Sequence, residues 1–375
     1  MIKLEFSKLP VTPLFGSRYS NFKAVCSAVD VDKGYKLKYR LSKILSGLMS
    51  ATHPIENYMY KKKVEPMELK QDPVFILGHW RSGTTFLHNV LAQDKQFGYN
   101  TTYQTIFSNA MVFGQPFFKP IMKAVMPDKR PTDNLELLPD QPQEEEFALS
   151  NIMPVSFYNF WFLPKRTMEY CRKYLLFDDI TKQEKETFNK EFVRLVKTSL
   201  YNTGGEVFLS KNPPHTGRVK DLLEIFPNAK FIYLVRNPYT VFESTRDYFS
   251  NVIKPLKLQD FTDEQLEKNI LDVYNQLTNA YERDKKLIPE GNLYELRFED
   301  FEADAFNKTY EIYQTLGLNG FDKSSSDIQA YLNKKKKHKK KAYNYHPETV
   351  QKVNKNWMHA LTKWNYEIID APIDK

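Results

Sequence analysis

Two glycines, Gly78 and Gly83, frame the segment GHWRSGTT, which directly follows the apolar run Val74-Phe75-Ile76-Leu77. Four residues separate them, the spacing of a loop that cradles phosphate between a strand and a helix. In nucleoside-triphosphate enzymes that loop continues with Lys and then Ser or Thr. Here Thr84 and Thr85 follow Gly83, and the cation stands earlier, at Arg81. The change alters the chemistry. A lysine after the last glycine reaches the β- and γ-phosphates, while the adjoining hydroxyl holds magnesium. A guanidinium inside the loop is a planar, permanently charged fork, suited to a single 5′-phosphate bearing a transferable group. No acidic pattern that would complete a magnesium site accompanies it. Phosphoryl transfer from ATP therefore fits poorly, and no metal is expected.

The elements that must position this loop follow from pattern and punctuation. Residues 73–77 read as a short buried strand and 84–93 as the helix leaving the loop. A second strand is expected at 206–210, before the breaker pair Pro213-Pro214, followed by a helix at 217–226. AKFIYLVRNP holds a third strand, 231–235, that ends at Arg236; Pro238 then opens a helix reaching about Phe249. A long helical pattern covers 263–288, a fourth strand 292–298 and a further helix 302–316. Short strands alternating with helices define an α/β fold, a P-loop-like central parallel sheet flanked by helices. Ligands of such sheets bind beyond the carboxyl ends of the strands. The loop at 78–85 and Arg236 both lie there and should converge on one ligand.

Residues 99–165 break the alternation with Tyr103, Phe107, Met111, Phe113, Phe117, Phe118, Met122, Phe157, Tyr158, Phe160, Trp161 and Phe162. This mainly helical, aromatic-rich insert reads either as core and cap, or as the wall of an apolar acceptor pocket over the site. Residues 1–70 read as a helical lead-in packed on a domain spanning 71–375. Within it Leu37, Leu41, Ile44, Leu45, Leu48 and Met49 have the helical period. A core-packing helix is expected, with contact of its lysines to lipid headgroups as the alternative.

Composition narrows the class. The chain has 375 residues, long enough for one large domain or two ordinary ones. Its net charge is +8, but seven lysines fall in KKKKHKKK at 334–341, so the remainder is nearly neutral. Nucleic acid is therefore not an expected partner. The run reads as a solvated loop, a grip on a multiply charged ligand, or a peripheral contact with an anionic membrane. Only Cys26 and Cys171 are present, which argues against disulfides and for a reducing compartment. The N-terminal segment lacks the apolar core of a secretory signal, and no spanning helix is visible. A soluble, cytoplasmic protein is expected.

Two blocks carry a family resemblance. PVFILGHWRSGTTFLHNVL resembles the 5′-phosphosulfate loop of sulfotransferases that use 3′-phosphoadenosine 5′-phosphosulfate, PAPS. FIYLVRNPYTVFESTRDYF resembles their 3′-phosphate motif, a strand, an Arg, Asn-Pro, and a Ser eight residues after the Arg. FLSKNPPHTGRVKDLLEIFPNAKFIYLVRNPY, LYELRFEDF and PQEEEFAL extend the likeness, over roughly residues 70–318, to a broad, largely bacterial-type group. The resemblance implies transfer of a sulfuryl group from PAPS to an acceptor hydroxyl, leaving adenosine 3′,5′-bisphosphate. Arg81, Ser82, Gly83, Thr84 and Thr85 would then hold the 5′-phosphosulfate, and Arg236 and Ser244 the 3′-phosphate.

Lys211 stands where related enzymes carry a lysine facing the sulfuryl group; the alternative is a solvent lysine at a strand end. The base is open. Cytosolic relatives place a His shortly after that lysine, whereas here Asn212-Pro213-Pro214 intervenes before His215. Other branches use a glutamate, and Glu144-Glu145-Glu146 is the acidic cluster, with Glu144 and Glu145 ahead of Glu146. Carboxylates in apolar surroundings are raised toward neutrality, as a base requires; the alternative is a solvated first helical turn. Glu299 and Asp300 read as strand-end anchors, His79 and His88 as packing groups. The aromatic insert favours an apolar alcohol (a sterol, steroid, phenol or lipid) over a carbohydrate. A P-loop kinase or ATPase, and a non-catalytic membrane-surface binding module, are the rival classes. The oligomeric state is not legible.

Overall fold

The computed structural model describes residues 10–26, 31–126, 138–335 and 345–370. Its strands are β1 (Val74–Leu77), β2 (Phe97–Gly98), β3 (Val207–Lys211), β4 (Lys230–Val235) and β5 (Leu293–Arg297). They form a five-stranded sheet in the order β2-β3-β1-β4-β5, with β1 parallel to β4, β4 to β5 and β2 to β3. The expected α/β architecture is present, each foreseen strand within a residue or two of its place. Only β2 is new; two residues carry no period for a sequence to show.

Helices α1 (Tyr19–Cys26), α2 (Lys36–Ser50) and α3 (His53–Lys63) precede β1, and α4 (Thr84–Leu91) leaves it. Between β2 and β3 come α5 (Thr102–Ile106), α6 (Gln115–Val125), α7 (Glu145–Ile152), α8 (Thr167–Tyr170) and α9 (Lys182–Thr203). Then α10 (Val219–Ile225) leads to β4, and α11 (Pro238–Leu256) and α12 (Asp263–Asp284) lead to β5. The chain continues through α13 (Phe298–Ala303), α14 (Ala305–Thr315), α15 (Phe321–Lys335) and α16 (Pro347–Lys363). The segment expected as one helix at 302–316 is two, because Asp304 leaves helical geometry and caps α14 instead. The helix opened by Pro238 runs on to Leu256, since Pro255 falls in its last turn and disrupts little beyond it.

The chain divides into two compact units. The first comprises Met1–Gln71, Phe97–Ser210 and Ser250–Thr262; the second comprises Asp72–Gln96, Lys211–Phe249 and Asp263–Lys375.

In the second unit, β1 is buried along its whole length, as a strand covered on both faces must be. Phe75 stacks on Phe231 of β4 at 5.4 Å between ring centroids and also meets Phe226. In α16, Trp357 lies flat on Tyr274 at 3.9 Å, and its indole N–H donates to the Leu271 carbonyl at 3.2 Å. Lys334 and Lys335 close α15; the rest of the lysine run, 336–341, lies outside the described residues.

In the first unit most of the aromatic insert is core. Tyr103, Phe157, Tyr158, Phe160, Trp161 and Phe162 are buried, and Phe160 stacks on Trp161 at 4.4 Å. Helix α9 starts at a capping box, Thr181 with Glu184, and stops at Gly204, whose φ of 76° suits a helix end. One expectation is overturned here. The apolar period of α2 is real, yet Leu37, Ile44, Leu45 and Leu48 are exposed. The helix packs instead by its serines: Ser42 and Ser46 are buried, and Ser42 Oγ accepts from the Thr12 N–H at 2.8 Å. Cys26 and Cys171 are both buried. No helix among the described residues is long and apolar enough to cross a membrane.

Phe75→Ala should lower stability by about 3–5 kcal/mol, the usual cost of truncating an interior aromatic. Urea unfolding of the two proteins measures it.

Candidate active site

β1 lies between β3 and β4 in the sheet, so parallel pairing brings the carboxyl ends of neighbouring strands to one edge. At the end of β1, Gly78 adopts φ +143°, and a side chain there would meet the Leu234 carbonyl at 2.5 Å. Its N–H donates to Thr216 Oγ1 at 2.8 Å, fixing the start of the loop. Gly83 closes the loop at φ +94° and caps α4 without a side chain. A Cβ on Gly83 would fall 2.1 Å from the Phe298 ring. Both glycines are thus required by conformation and by space.

Between them Arg81 holds φ 67°, left-handed backbone that a non-glycine residue occupies at a cost of about 1–3 kcal/mol. Three contacts fix it. Arg81 Nε donates to Ser244 Oγ at 2.9 Å. The guanidinium lies 5.2 Å from the centre of the Tyr248 ring, one turn further along α11. Arg236 Nη1, from the end of β4, donates to the Arg81 carbonyl at 3.2 Å. Arg236 in turn lies over the Phe298 ring at 4.5 Å. Asn237 accepts from the N–H of Tyr239 at 3.0 Å and caps α11, with Pro238 in its first turn. Glu299 accepts from the Asn237 N–H at 3.0 Å and from the Tyr366 hydroxyl at 2.8 Å. It anchors a turn, as its place in RFEDF suggested.

Ser82 is buried, and its Oγ has no hydrogen-bond partner among the described residues. An orphaned hydroxyl in a phosphate loop is a group that a ligand would satisfy. Thr84 is buried and Thr85 half-buried in the first turn of α4. These residues fit an anion. Lys211 ends β3 and is only 2% exposed, which removes the solvent-lysine alternative. His215, in the turn Pro213–Gly217, is fully buried edge-on to Phe75, with Nε2 3.3 Å from Asn212 Nδ2. Among the described residues, no cluster of three or more His, Cys, Asp or Glu side chains could hold a metal ion.

The second unit therefore joins Arg81, Arg236 and Ser244 by hydrogen bonds around the loop of Ser82, Gly83, Thr84 and Thr85, and it also holds Lys211 and His215. The glutamates belong to the first unit. Glu144 is the half-exposed N-cap of α7, and its carboxylate accepts from the Tyr158 hydroxyl. Glu146 accepts from Ser156 Oγ at 2.9 Å and the Phe157 N–H at 2.8 Å, and so holds a turn. Glu145 and Glu146 are fully buried; the solvated-turn alternative does not describe them. Sequence reasoning missed Tyr248 and Phe298, the rings beside the two guanidiniums. The spacing of Ser244 and Tyr248, four apart on a helix, was the available signal.

A glycine loop with an internal arginine, tied to a second arginine from the adjoining strand end, sits on an α/β fold of the P-loop-like type. The model of the sulfotransferase family matches residues 73–323, and the chain belongs to that family. It is 29% identical over 313 residues to the omega-hydroxy-beta-dihydromenaquinone-9 sulfotransferase Stf3 of Mycobacterium bovis, covering 83% of this chain and 80% of that one. The same figures hold for Stf3 of Mycobacterium tuberculosis. The fold is shared with sulfotransferase STF9 of Mycobacterium avium (TM-score 0.68, 16% identity, 94% of this chain and 98% of that one). Sulfotransferase STF1 of Mycobacterium tuberculosis is similar too (TM-score 0.65, 14% identity, 92% and 94%). The chain is an enzyme of the sulfotransferase class.

His79, within the loop, is buried beside Trp80, Tyr274 and Trp357, its Nδ1 2.9 Å from the Trp80 carbonyl. Burial lowers its pKa from 6.5 to about 4, against a smaller opposing effect of that carbonyl. A depressed histidine contributes stability that is complete above its unfolded pKa and is lost as pH falls toward the folded value. The stability difference between the wild type and His79→Gln should shrink by about 3 kcal/mol between pH 7.5 and 4. Urea titrations of both proteins across that range provide the check.

Proposed function

We propose that the enzyme moves a sulfuryl group from PAPS to the hydroxyl of an apolar alcohol, of the sterol, steroid, phenol or lipid kind. The observation that carries the donor reading is the junction of Arg81, Ser244 and Arg236. It puts two permanent cations and a hydroxyl within one hydrogen-bonded set, suited to a nucleotide phosphorylated at two positions. Arg81, the Ser82 hydroxyl, Gly83, Thr84 and Thr85 would take the 5′-phosphosulfate. Arg236 and Ser244 would take the 3′-phosphate, and Ser244 keeps its own proton to donate while accepting from Arg81. Lys211 would face the sulfuryl oxygens.

In the reaction the acceptor oxygen bonds to sulfur as the bond from sulfur to the 5′-phosphate oxygen breaks. Adenosine 3′,5′-bisphosphate leaves, and the hydroxyl proton passes to a base. Fixed positive charge beside the departing phosphate lowers the barrier without reorganising at the moment of reaction.

Glu144, Glu145 and His215 are the candidates for the base. Glu144 ranks first on its own surroundings, being half-exposed and oriented by Tyr158, whereas Glu145 and His215 are fully buried. The apolar acceptor is supported by the printed substrate of the Stf3 relatives, an omega-hydroxylated dihydromenaquinone. A cytoplasmic location accords with a chain of only two cysteines, both buried.

Calorimetry with PAPS, adenosine 3′,5′-bisphosphate and magnesium ATP tests the donor; ATP binding without PAPS binding would sink the reading. Arg236→Ala should weaken adenosine 3′,5′-bisphosphate far more than adenosine 5′-phosphate, and equal losses would move Arg236 away from the 3′-phosphate. Glu144→Gln should cut kcat by roughly 10²–10⁴-fold with donor affinity kept. An unchanged kcat would pass the role to Glu145 or His215. The acceptor is found by mass spectrometry, screening sterols, phenols, lipids and sugars for the gain of one sulfuryl group; sulfation of sugars alone would overturn the apolar assignment.

A further inference from the structure

Helix α2 turns its leucines to solvent and its serines to the core. Leu37 is 64% exposed, Ile44 60%, Leu45 36% and Leu48 66%. Their positions recur at seven, eight and eleven residues, which places them in one stripe. In α3, Ile55 and Tyr58 are exposed as well, at 54% and 62%. A contiguous apolar stripe on a soluble surface marks a site of association.

The charges around the stripe select the partner. Helix α2 carries Lys36, Lys38, Arg40 and Lys43 and no acidic residue. Lys38 is tied to the Pro255 carbonyl at 2.7 Å, but Lys36, Arg40 and Lys43 form no ion pair among the described residues. Helix α3 ends in Lys61, Lys62 and Lys63, all exposed. Its single acid, Glu56, is buried and accepts from the N–H groups of Val112 and Phe113 at 3.0 and 3.2 Å. The one carboxylate carried by these two helices is therefore directed into the protein. Between α1 and α2, Tyr19, Arg40, Lys43, Ile44 and Gly47 line a shallow depression of about 520 Å³. Cations rim an apolar floor, the arrangement that takes a lipid phosphate above its acyl chain.

We infer that α2 and α3 of the first unit dock on the surface of an anionic bilayer, with the leucine stripe immersed in the headgroup region and the cations on lipid phosphates. A second copy of the chain is a poor occupant, because a self-complementary contact would set the cations of α2 and α3 against their own copies with no outward acid on either helix to offset them. Nucleic acid would leave the leucines without a partner. The inference rests on this face alone and not on the identity of the acceptor.

The full-length protein is floated with vesicles of phosphatidylcholine, with and without phosphatidylglycerol, at low and high salt. Binding is expected to the anionic vesicles and to weaken with salt. Ile44→Asp combined with Leu48→Asp should reduce that binding by more than about tenfold, and Arg40→Gln by about fivefold. Calorimetric affinity for adenosine 3′,5′-bisphosphate should be unchanged in both variants, which separates loss of docking from loss of fold. Equal binding to neutral and anionic vesicles, no binding by the wild type, or full binding by the double variant would overturn the inference. So would a dimer, found by sedimentation, that the double variant dissociates without any vesicle binding.

Discussion

The candidate site hangs on one backbone carbonyl. Arg81 O receives the Arg236 guanidinium, so the cation from β4 is positioned by the loop that follows β1. The side chain of the same residue reaches Ser244 on α11. One residue in left-handed backbone thus joins three elements. The strain of that conformation, about 1–3 kcal/mol, is offset by the hydrogen bonds it makes possible, each stronger for carrying a charge. The two residues that follow β5 brace the result. Phe298 supports Arg236 and crowds Gly83, while Glu299 fixes the Asn237 N–H that starts α11. A site made of strand ends inherits the rigidity of the sheet, which is why anion-binding groups at such ends need few ligands of their own.

Why an arginine inside the loop differs from a lysine after it follows from the same geometry. A lysine is one flexible point charge, whereas a guanidinium can spend one N–H on Ser244 and still present others. Its flat face also rests near Tyr248. The cation is held before any ligand arrives, and binding then loses little side-chain freedom.

Much of this was legible in the residues. Gly78, Gly83 and Arg81 announce the loop; the alternation of strands and helices announces the sheet; Arg236 and Ser244, eight apart, announce the second cluster. What the sequence could not show was direction. The heptad-like spacing of Leu37, Ile44 and Leu48 is the same whether the stripe faces a core or solvent, and only the burial of Ser42 and Ser46 decides it. Burial likewise separates the glutamates: three adjacent acids look alike in a string, yet Glu146 holds a turn while Glu144 stays half-exposed. Partners far along the chain were invisible too, as with Phe298 beneath Arg236, because nothing local links residues from different strand ends.

The outward face of α2 has a bearing on what an enzyme with an apolar acceptor can achieve. A hydrophobic alcohol partitions into lipid, so its concentration in water is small and diffusion from bulk supplies little of it. A protein resting on the bilayer meets such an acceptor at the concentration of the membrane phase, in the way that tethering raises effective concentration without a new contact. A donor of the proposed kind, being multiply charged, stays in water. On the proposed reading the enzyme would join the two at the boundary, and sulfation itself would change the partition of the product by adding a permanent charge. A helix that spends its leucines on lipid instead of on its own core gives up stability within the fold. That cost is understandable where the substrate and the surface are found together.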